Sequence, residues 1–141
     1  MSKVLGLDLG TKTLGIAISD SLRIAAHGYE NFTFESGNYK KARERVLEVC
    51  QKEGVTEIAL GLPLHMSGEE SERSKSSLRF RDDLLKENSN LQITMIDERM
   101  TTIIANNRLL EANLSREKRK AVIDKMSAVV ILESYLARGG K

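Results

Sequence analysis

The stretch Lys3-Val4-Leu5-Gly6-Leu7-Asp8-Leu9 is apolar apart from its first residue and one carboxylate, and Gly10-Thr11-Lys12-Thr13 follows it directly. A short apolar run that stops at a glycine predicts a β-strand and its turn. A carboxylate inside an apolar strand costs several kcal/mol unless it is paired or bound to a metal. Asp8 therefore either accepts hydrogen bonds from the turn that follows it or belongs to a functional site.

Two further strands are predicted directly behind this one, at residues 14–19 and near residues 26–34, and three sequential strands indicate an antiparallel meander. The next apolar positions recur at steps of three and four, as on one face of a helix: Tyr39, Ala42, Val46 and Val49. Gly54 follows at a distance that suits the end of this helix.

The rest of the chain alternates strands and helices. We predict strands at 58–62 and 91–96, a polar helix at 71–86, a helix that is capped by Thr101 or Thr102 and carries Ile103, Ile104, Leu109 and Leu110, and a final helix at about 118–137. A meander followed by this alternation predicts an α/β fold, with a mixed sheet and helices on both of its faces. The length of 141 residues fits one domain over residues 1–141.

Composition excludes several classes of protein. No apolar run approaches the roughly 20 residues that a membrane-spanning helix needs. Met1-Ser2-Lys3 leads straight into strand-like sequence rather than into a signal peptide. The lone Cys50 lies beside the apolar face of its predicted helix, where packing is expected, and it cannot form an intramolecular disulfide. We expect a soluble cytoplasmic protein without membrane contact.

Two more acidic positions stand out beside Asp8. Asp97 and Glu98 end a predicted strand, and only one of them can share the face of Asp8 because side chains alternate between the faces of a sheet. We favour Glu98. Asp124 lies on the inner stripe of the final predicted helix, although an acid near a helix start is also stabilised by the helix dipole.

Together, Asp8, Glu98 and Asp124 predict a metal site and a catalytic centre. Carboxylate oxygens are the ligands that Mg²⁺ and Mn²⁺ prefer, and three carboxylates leave room for a substrate phosphate. Two such ions, about 3.5 to 4 Å apart, activate water and stabilise the leaving oxygen of a phosphodiester. The predicted activity is that of a metal-dependent nuclease in which Asp8 bridges two ions and Glu98 and Asp124 hold one each. The chain has only two His and one Cys, which argues against a zinc site or a serine triad.

The net charge of +2 does not by itself indicate a nucleic-acid partner, but the basic residues are clustered. They gather at residues 40–45, at 73–81 and most densely at 116–120, and each cluster is also explained as a solvated helix face. Without Trp there is no sign of a stacking platform for bases, so contacts to phosphates are expected. The residues predicted to bind phosphates are Lys12, Arg99, Arg116, Lys118, Arg119 and Lys120.

Four blocks of sequence, in order, resemble the YqgF family: Gly6-Leu7-Asp8-Leu9-Gly10-Thr11-Lys12 with Gly15, Gly61-Leu62-Pro63-Leu64 with Met66 and Gly68, Asp97-Glu98-Arg99-Met100-Thr101-Thr102, and Asp124 with residues 128–135. The resemblance runs nearly end to end. Members of this family, also called RuvX or Holliday junction resolvases, have a ribonuclease H-like fold and are associated with maturation of the 5′ end of 16S ribosomal RNA.

The resemblance implies that Asp8, the acid of the triplet Asp97-Glu98-Arg99 and Asp124 are catalytic. It also implies that precursor ribosomal RNA is the substrate in ribosome biogenesis, with branched DNA in recombination and repair as the alternative. His65 and Ser67 depart from the residues usual in the family, and their position in a loop bears on substrate contact rather than on catalysis. The sequence leaves open whether the substrate is RNA or DNA, and whether the protein is a monomer or a homodimer.

Two functions of other classes also start from Asp8. The segment Gly6-Leu7-Asp8-Leu9-Gly10-Thr11 is like the phosphate-binding turn of actin-like ATPases and sugar kinases. Those proteins need a second such domain, and this chain has neither a second motif nor the length for one. If the protein were a non-catalytic nucleic-acid adaptor, at least one of the three acids Asp8, Glu98 and Asp124 would be expected to be missing, and none is.

Overall fold

The computed structural model describes residues 2–63, 67, 71–98 and 116–139, with the backbone alone for 116–125. Five strands and three helices lie in this part of the chain: β1 (Val4–Leu9), β2 (Thr13–Ser19), β3 (Ala26–Thr33), α1 (Tyr39–Glu53), β4 (Glu57–Leu62), α2 (Glu72–Glu87), β5 (Gln92–Asp97) and α3 (Arg116–Ala137). The helix predicted behind Thr101 or Thr102 lies outside the described residues, as does His65.

The strands form one sheet in the order β3-β2-β1-β4-β5. The pairs β1–β2 and β2–β3 are antiparallel, whereas β1–β4 and β4–β5 are parallel. This is the predicted mixed sheet, a meander followed by parallel strands. β1 is its central strand and is buried along its whole length, which explains its unbroken apolar run.

Helices cover both faces of the sheet, as predicted. Leu5, Leu7 and Leu9 of β1 pack against α1 and α2 in one cluster, while Val4 packs against α3 in a second cluster on the opposite face. Cys50 belongs to the first cluster, and burial raises the pKa of its thiol to about 11. The predicted packing role of Cys50 is therefore confirmed.

The ends of α1 and α2 are fixed by local interactions. Gly54 follows α1 in the left-handed conformation, with φ of 69°, which costs a glycine little. Ser71 caps α2 by accepting a hydrogen bond from the Ser74 N–H, and its own hydroxyl donates to the Pro63 carbonyl at 3.0 Å. This hydroxyl holds the start of α2 against the end of β4. Within the described residues, no helix is long and apolar enough to cross a membrane.

Candidate active site

The strands β1, β4 and β5 are parallel to one another, so their carboxyl ends meet at one edge of the sheet. Asp8, the second-last residue of β1, lies at this edge and is only 6% exposed. It shares its face of β1 with Gly6, where an added Cβ would lie 2.6 Å from the Ala128 carbonyl oxygen of α3. The carboxylate of Asp8 is therefore on the side of the sheet that α3 covers.

Gly61 of β4 provides the space in which the Glu98 carboxyl group lies. A Cβ at position 61 would be 2.5 Å from Glu98 Cδ and 2.6 Å from Ile131 Cδ1. The register pairs Leu7 with Leu60, so the next residues along, Asp8 and Gly61, are neighbours on adjacent strands about 4.8 Å apart. The Glu98 side chain thus reaches back over β4, one strand away from Asp8.

The structure distinguishes the two acids at the end of β5. Glu98 is 6% exposed and its N–H donates to the Leu62 carbonyl at 3.1 Å, which extends the strand pairing by one residue. Asp97 is exposed. Since Ile96 packs in the cluster under α3, alternation turns Asp97 to the opposite side of the sheet and returns Glu98 to the side of Asp8.

Asp124 lies in α3, four residues before Ala128 and seven before Ile131. The backbone of Ala128 approaches Gly6, and the Ile131 side chain approaches Gly61, so both positions are on the side of α3 that faces the sheet. Steps of four and three residues stay on one side of a helix, which gives the Asp124 position the same side. Its side chain lies outside the described part of the structure.

Arg73 is a site residue that the sequence did not single out. It lies in the first turn of α2, and its Nη2 donates to the Leu9 carbonyl at 3.0 Å and lies 3.7 Å from Asp8 Oδ1. The side chain is 53% exposed, so the guanidinium remains open to solvent at the sheet edge. The sequence places Arg73 in a basic cluster only, because its approach to Asp8 depends on where α2 begins.

Of the six residues predicted to bind phosphates, Lys12 alone has a described side chain. It is exposed in the turn after β1, where the Gly10 N–H donates to the Thr13 carbonyl at 2.7 Å. Four others are in the first two turns of α3, where only the backbone is described: Arg116, Lys118, Arg119 and Lys120. Arg99 lies outside the described residues.

Part of the basic cluster at residues 40–45 has a structural role. Arg43 lies 3.6 Å from Asp83 and 3.4 Å from Glu87, both on α2. Arg45 binds Glu30 of β3 at 2.8 Å. These two arginines therefore join α1 to its neighbours, a structural role that differs both from phosphate binding and from a fully solvated helix face.

The chemistry of the described acids fits a divalent cation. Asp8 of β1 and Glu98, directly after β5, are buried carboxylates on one face of the sheet, and the Glu98 carboxyl group lies over β4 between the two strands. Carboxylates of this kind repel each other until a positive charge neutralises them. Hard ions such as Mg²⁺ prefer these oxygen ligands. Among the described side chains, no group of three or more His, Cys, Asp or Glu is placed to hold a metal; the third predicted acid, Asp124, falls outside that set.

Comparison with known proteins gives the same class of protein as the sequence. A family model described as "RuvX: Holliday junction resolvase" matches residues 2–138. A protein of Staphylococcus aureus (strain JH9) named "Putative pre-16S rRNA nuclease" is 40% identical over 134 residues, which are 95% of this chain and 94% of the relative. The predicted class of enzyme, a nuclease that hydrolyses phosphodiester bonds, is confirmed at the level of the family.

Two solved structures have a similar arrangement of helices and strands. T. thermophilus RuvC in complex with a Holliday junction substrate has a TM-score of 0.61 at 16% identity, over 99% of this chain and 97% of that chain. Fowlpox virus resolvase in complex with Holliday junction DNA has a TM-score of 0.55 at 15% identity, over 99% of both chains. At these identities the similarity is one of fold, and it confirms the predicted ribonuclease H-like class. From residue 2 to residue 138, the chain belongs to the RuvX family.

Proposed function

We propose that this protein is a cytoplasmic, metal-dependent endonuclease that cuts precursor 16S ribosomal RNA during maturation of its 5′ end. The observation that carries the proposal is the burial of two carboxylates, Asp8 and Glu98, on one face at the carboxyl edge of the sheet. Buried carboxylates need compensating positive charge or hydrogen bonds, and a divalent cation would supply such charge to both acids. The name of the Staphylococcus aureus relative supports the choice of substrate.

Asp8, Glu98 and Asp124 are the proposed ligands of Mg²⁺ or Mn²⁺. Asp8, on the central strand of the sheet, would be the ligand shared between two such ions. Asp124 is included because its helical position shares a side with Ala128 and Ile131, which face the same part of the sheet. When bound, a pair of such ions supplies activation of water and stabilisation of the leaving oxygen.

Positively charged residues position the substrate in this proposal. Arg73, next to Asp8 and half exposed, binds a phosphate close to the scissile bond, and its planar guanidinium suits two parallel hydrogen bonds to phosphate oxygens. Lys12 binds a phosphate from the turn after β1. The basic stretch 116–120 and Arg99 bind phosphates farther along the strand. Because none of these contacts reads a base, the RNA is selected by shape and by the position of its ends.

The second candidate function is cleavage of branched DNA, which the family's description supports. The two functions differ in what they require of the assembly. Resolution of a four-way junction needs two cuts in opposed strands, and hence two sites related by symmetry in a homodimer. Trimming of RNA needs one site.

A cleavage assay with both substrates tests the proposal. We expect the protein with Mg²⁺ to cut precursor 16S ribosomal RNA at a defined position near the 5′ end and to leave a four-way DNA junction intact. Asp8→Asn and chelation of the metal should each abolish the cut. Cleavage of the junction alone would favour the second function, and cleavage by Asp8→Asn at the wild-type rate would overturn both.

A further inference from the structure

A groove between α1 and α2 runs away from the candidate active site. Its near part, of about 80 Å³, begins under the turn after Asp8 and is lined by Leu9, Thr11 and Arg73 among others. Its far part, of about 490 Å³, lies between the start of α1 and the middle of α2. Tyr39 and Ser76 line both parts, so the two lie side by side. We call this feature the α1–α2 groove.

The α1–α2 groove has a net positive charge. Its charged lining consists of Lys40, Arg43, Arg79 and Asp83 in the far part, and of Glu72 and Arg73 in the near part. Asp83 is paired with Arg43 at 3.6 Å, which cancels one charge of each sign. Within the described part of the chain, neither Lys40 nor Arg79 has an ion pair, and both side chains are exposed. Two cations therefore remain available in the groove.

The start of α1 adds to this potential. The first turn of the helix contains no acid, and it does contain Lys40 and Lys41. Cations at a helix N-terminus are disfavoured by the helix dipole, which makes that end partly positive. Asn38 precedes the helix, but its side chain makes no capping hydrogen bond. A positive charge placed against the dipole is stabilised when an anion binds beside it.

The spacing of the cations along α2 follows the direction of the groove. Arg73, Ser76 and Arg79 recur at steps of three, so Ser76, which lines both parts, is next to each arginine on the helix surface. At 1.5 Å per residue, Arg73 and Arg79 are about 9 Å apart along the axis. Arg73 is 3.7 Å from Asp8, so a strand cut beside Asp8 that followed this groove would reach Arg79 within one or two nucleotides.

We propose that the α1–α2 groove holds the sugar–phosphate backbone of the substrate strand one to two nucleotides from the scissile bond, with Arg79 and Lys40 as its phosphate contacts. The inference rests on the proposed function, because it takes the edge beside Asp8 as the place of cleavage. It assigns a second path for the substrate, distinct from the basic stretch 116–120. The contacts are to phosphates and carry no sequence preference.

Binding measurements in an uncleaving background test the groove. In Asp8→Asn, the double variant Lys40→Ala with Arg79→Ala should bind precursor RNA about tenfold more weakly. Each lost phosphate contact lowers the log–log salt slope by about 0.7 for a single strand, so the slope should fall by about 1.4. The matched control is Lys52→Ala with Lys86→Ala, which removes the same charge from exposed positions in the last turns of the same two helices. It should change neither value appreciably.

Neutral phosphate analogues locate the contact. Single methylphosphonates are placed at successive positions of a 2′-O-methyl RNA, and affinity is measured with and without the groove substitutions. We expect two positions, within one or two nucleotides of the cut, at which the analogue weakens binding to Asp8→Asn alone but does not weaken binding further in the groove double variant. Equal losses in the groove and control variants, or no position-specific coupling, would overturn the groove. If the groove fails in this way while the wild-type protein still cleaves the RNA, the proposed function stands. If the protein binds no RNA at any salt concentration, both the groove and the proposed function are overturned.

Discussion

At the scale of single residues, the site depends on which way two neighbouring acids point. Glu98 is buried on the face of Asp8, while Asp97 is exposed on the other side. Strand alternation was enough to predict this orientation, because β5 pairs with β4 without a bulge as far as the pair Leu62–Asp97. The hydrogen bond from the Glu98 N–H to the Leu62 carbonyl extends this pairing by one residue. The assignment of Glu98 as a metal ligand remains a prediction.

Exchange of these two acids for amides tests the assignment. Glu98→Gln keeps the shape of the side chain but removes a charge that the metal needs, so cleavage should fall at least a thousandfold, or about 4 kcal/mol in barrier. Asp97→Asn should change the rate by less than threefold. The measurement is single-turnover cleavage of precursor RNA in Mg²⁺. Greater damage from Asp97→Asn would show that the wrong face had been chosen.

Arg73 could not be predicted from the sequence, because its distance from Asp8 depends on the packing of α2 against β4 through Ser71 and Pro63. Its guanidinium also donates to the carbonyl of Leu9, a residue 64 positions earlier in the chain. Local patterns such as charge clusters carry no information about contacts of this kind. The same holds for Gly61, whose lack of a side chain matters only because Glu98 lies over it.

Substitution of Arg73 should separate metal binding from cleavage. A cation beside Asp8 opposes the approach of a metal ion, so Arg73→Ala should bind Mn²⁺ more tightly, by about threefold or more. The same variant should cut RNA at least tenfold more slowly, because a phosphate contact is lost. Calorimetry and single-turnover rates measure the two effects. Lys75→Ala, an exposed neighbour on the same helix, is the control and should change neither. A fall in both properties of Arg73→Ala would indicate a merely structural role.

At the scale of elements, the approach of α3 to the sheet organises the site. Gly6 and Gly61 leave no room for a side chain beneath the helix, since added Cβ atoms would lie 2.5 to 2.7 Å from Ala128, Leu132, Glu98 and Ile131. The helices and strands themselves were predicted from periodicity to within a few residues, with α3 starting at Arg116 rather than Lys118. The close approach of α3 to the sheet was not predicted, because two glycines in apolar strands do not reveal which helix packs on them.

The two glycines provide a matched pair of variants. Gly6→Ala and Gly61→Ala should each lower the free energy of unfolding by about 1–3 kcal/mol, because both overpack the contact with α3. The Cβ at position 61 also displaces the Glu98 carboxyl group, so Gly61→Ala should lose most of the rise in melting temperature that Mn²⁺ gives to wild type. Gly6→Ala should retain more of that rise. Equal metal stabilisation of Gly61→Ala and wild type would contradict the placement of Glu98 in the metal site.

At the scale of the whole molecule, Glu57 connects three parts of the chain. From β4 it accepts hydrogen bonds from Arg23, in the connection between β2 and β3, at 2.7 and 3.1 Å, and from the Tyr135 hydroxyl of α3 at 3.0 Å. The hydrogen bond from Arg23, followed by that from Tyr135, lowers the pKa of the Glu57 carboxyl group below its usual value of 4.5. Sequence patterns predict the elements that meet here but not the polar group that joins them.

The lowered pKa gives a dependence of stability on pH. A carboxyl group with a lower pKa in the folded state stabilises the fold above its unfolded pKa, near 4.5, and loses this effect as pH falls through the folded value. Glu57→Gln should therefore cost about 2 kcal/mol at neutral pH and flatten the loss of stability below pH 4.5. Denaturant melts with EDTA between pH 3 and pH 7 measure this, with the exposed Glu44→Gln as the control. A Glu57→Gln curve parallel to wild type would disprove the linkage.

The whole account depends on a divalent metal at the carboxyl edge of the sheet, and a crystal structure with Mn²⁺, located by anomalous scattering, tests this most directly. We predict manganese between the carboxylates of Asp8, Glu98 and Asp124, with Arg73 beside it, and no manganese there in Asp8→Asn. Manganese bound elsewhere on the protein, or an Asp8 carboxylate without metal at saturating Mn²⁺, would contradict the central claim.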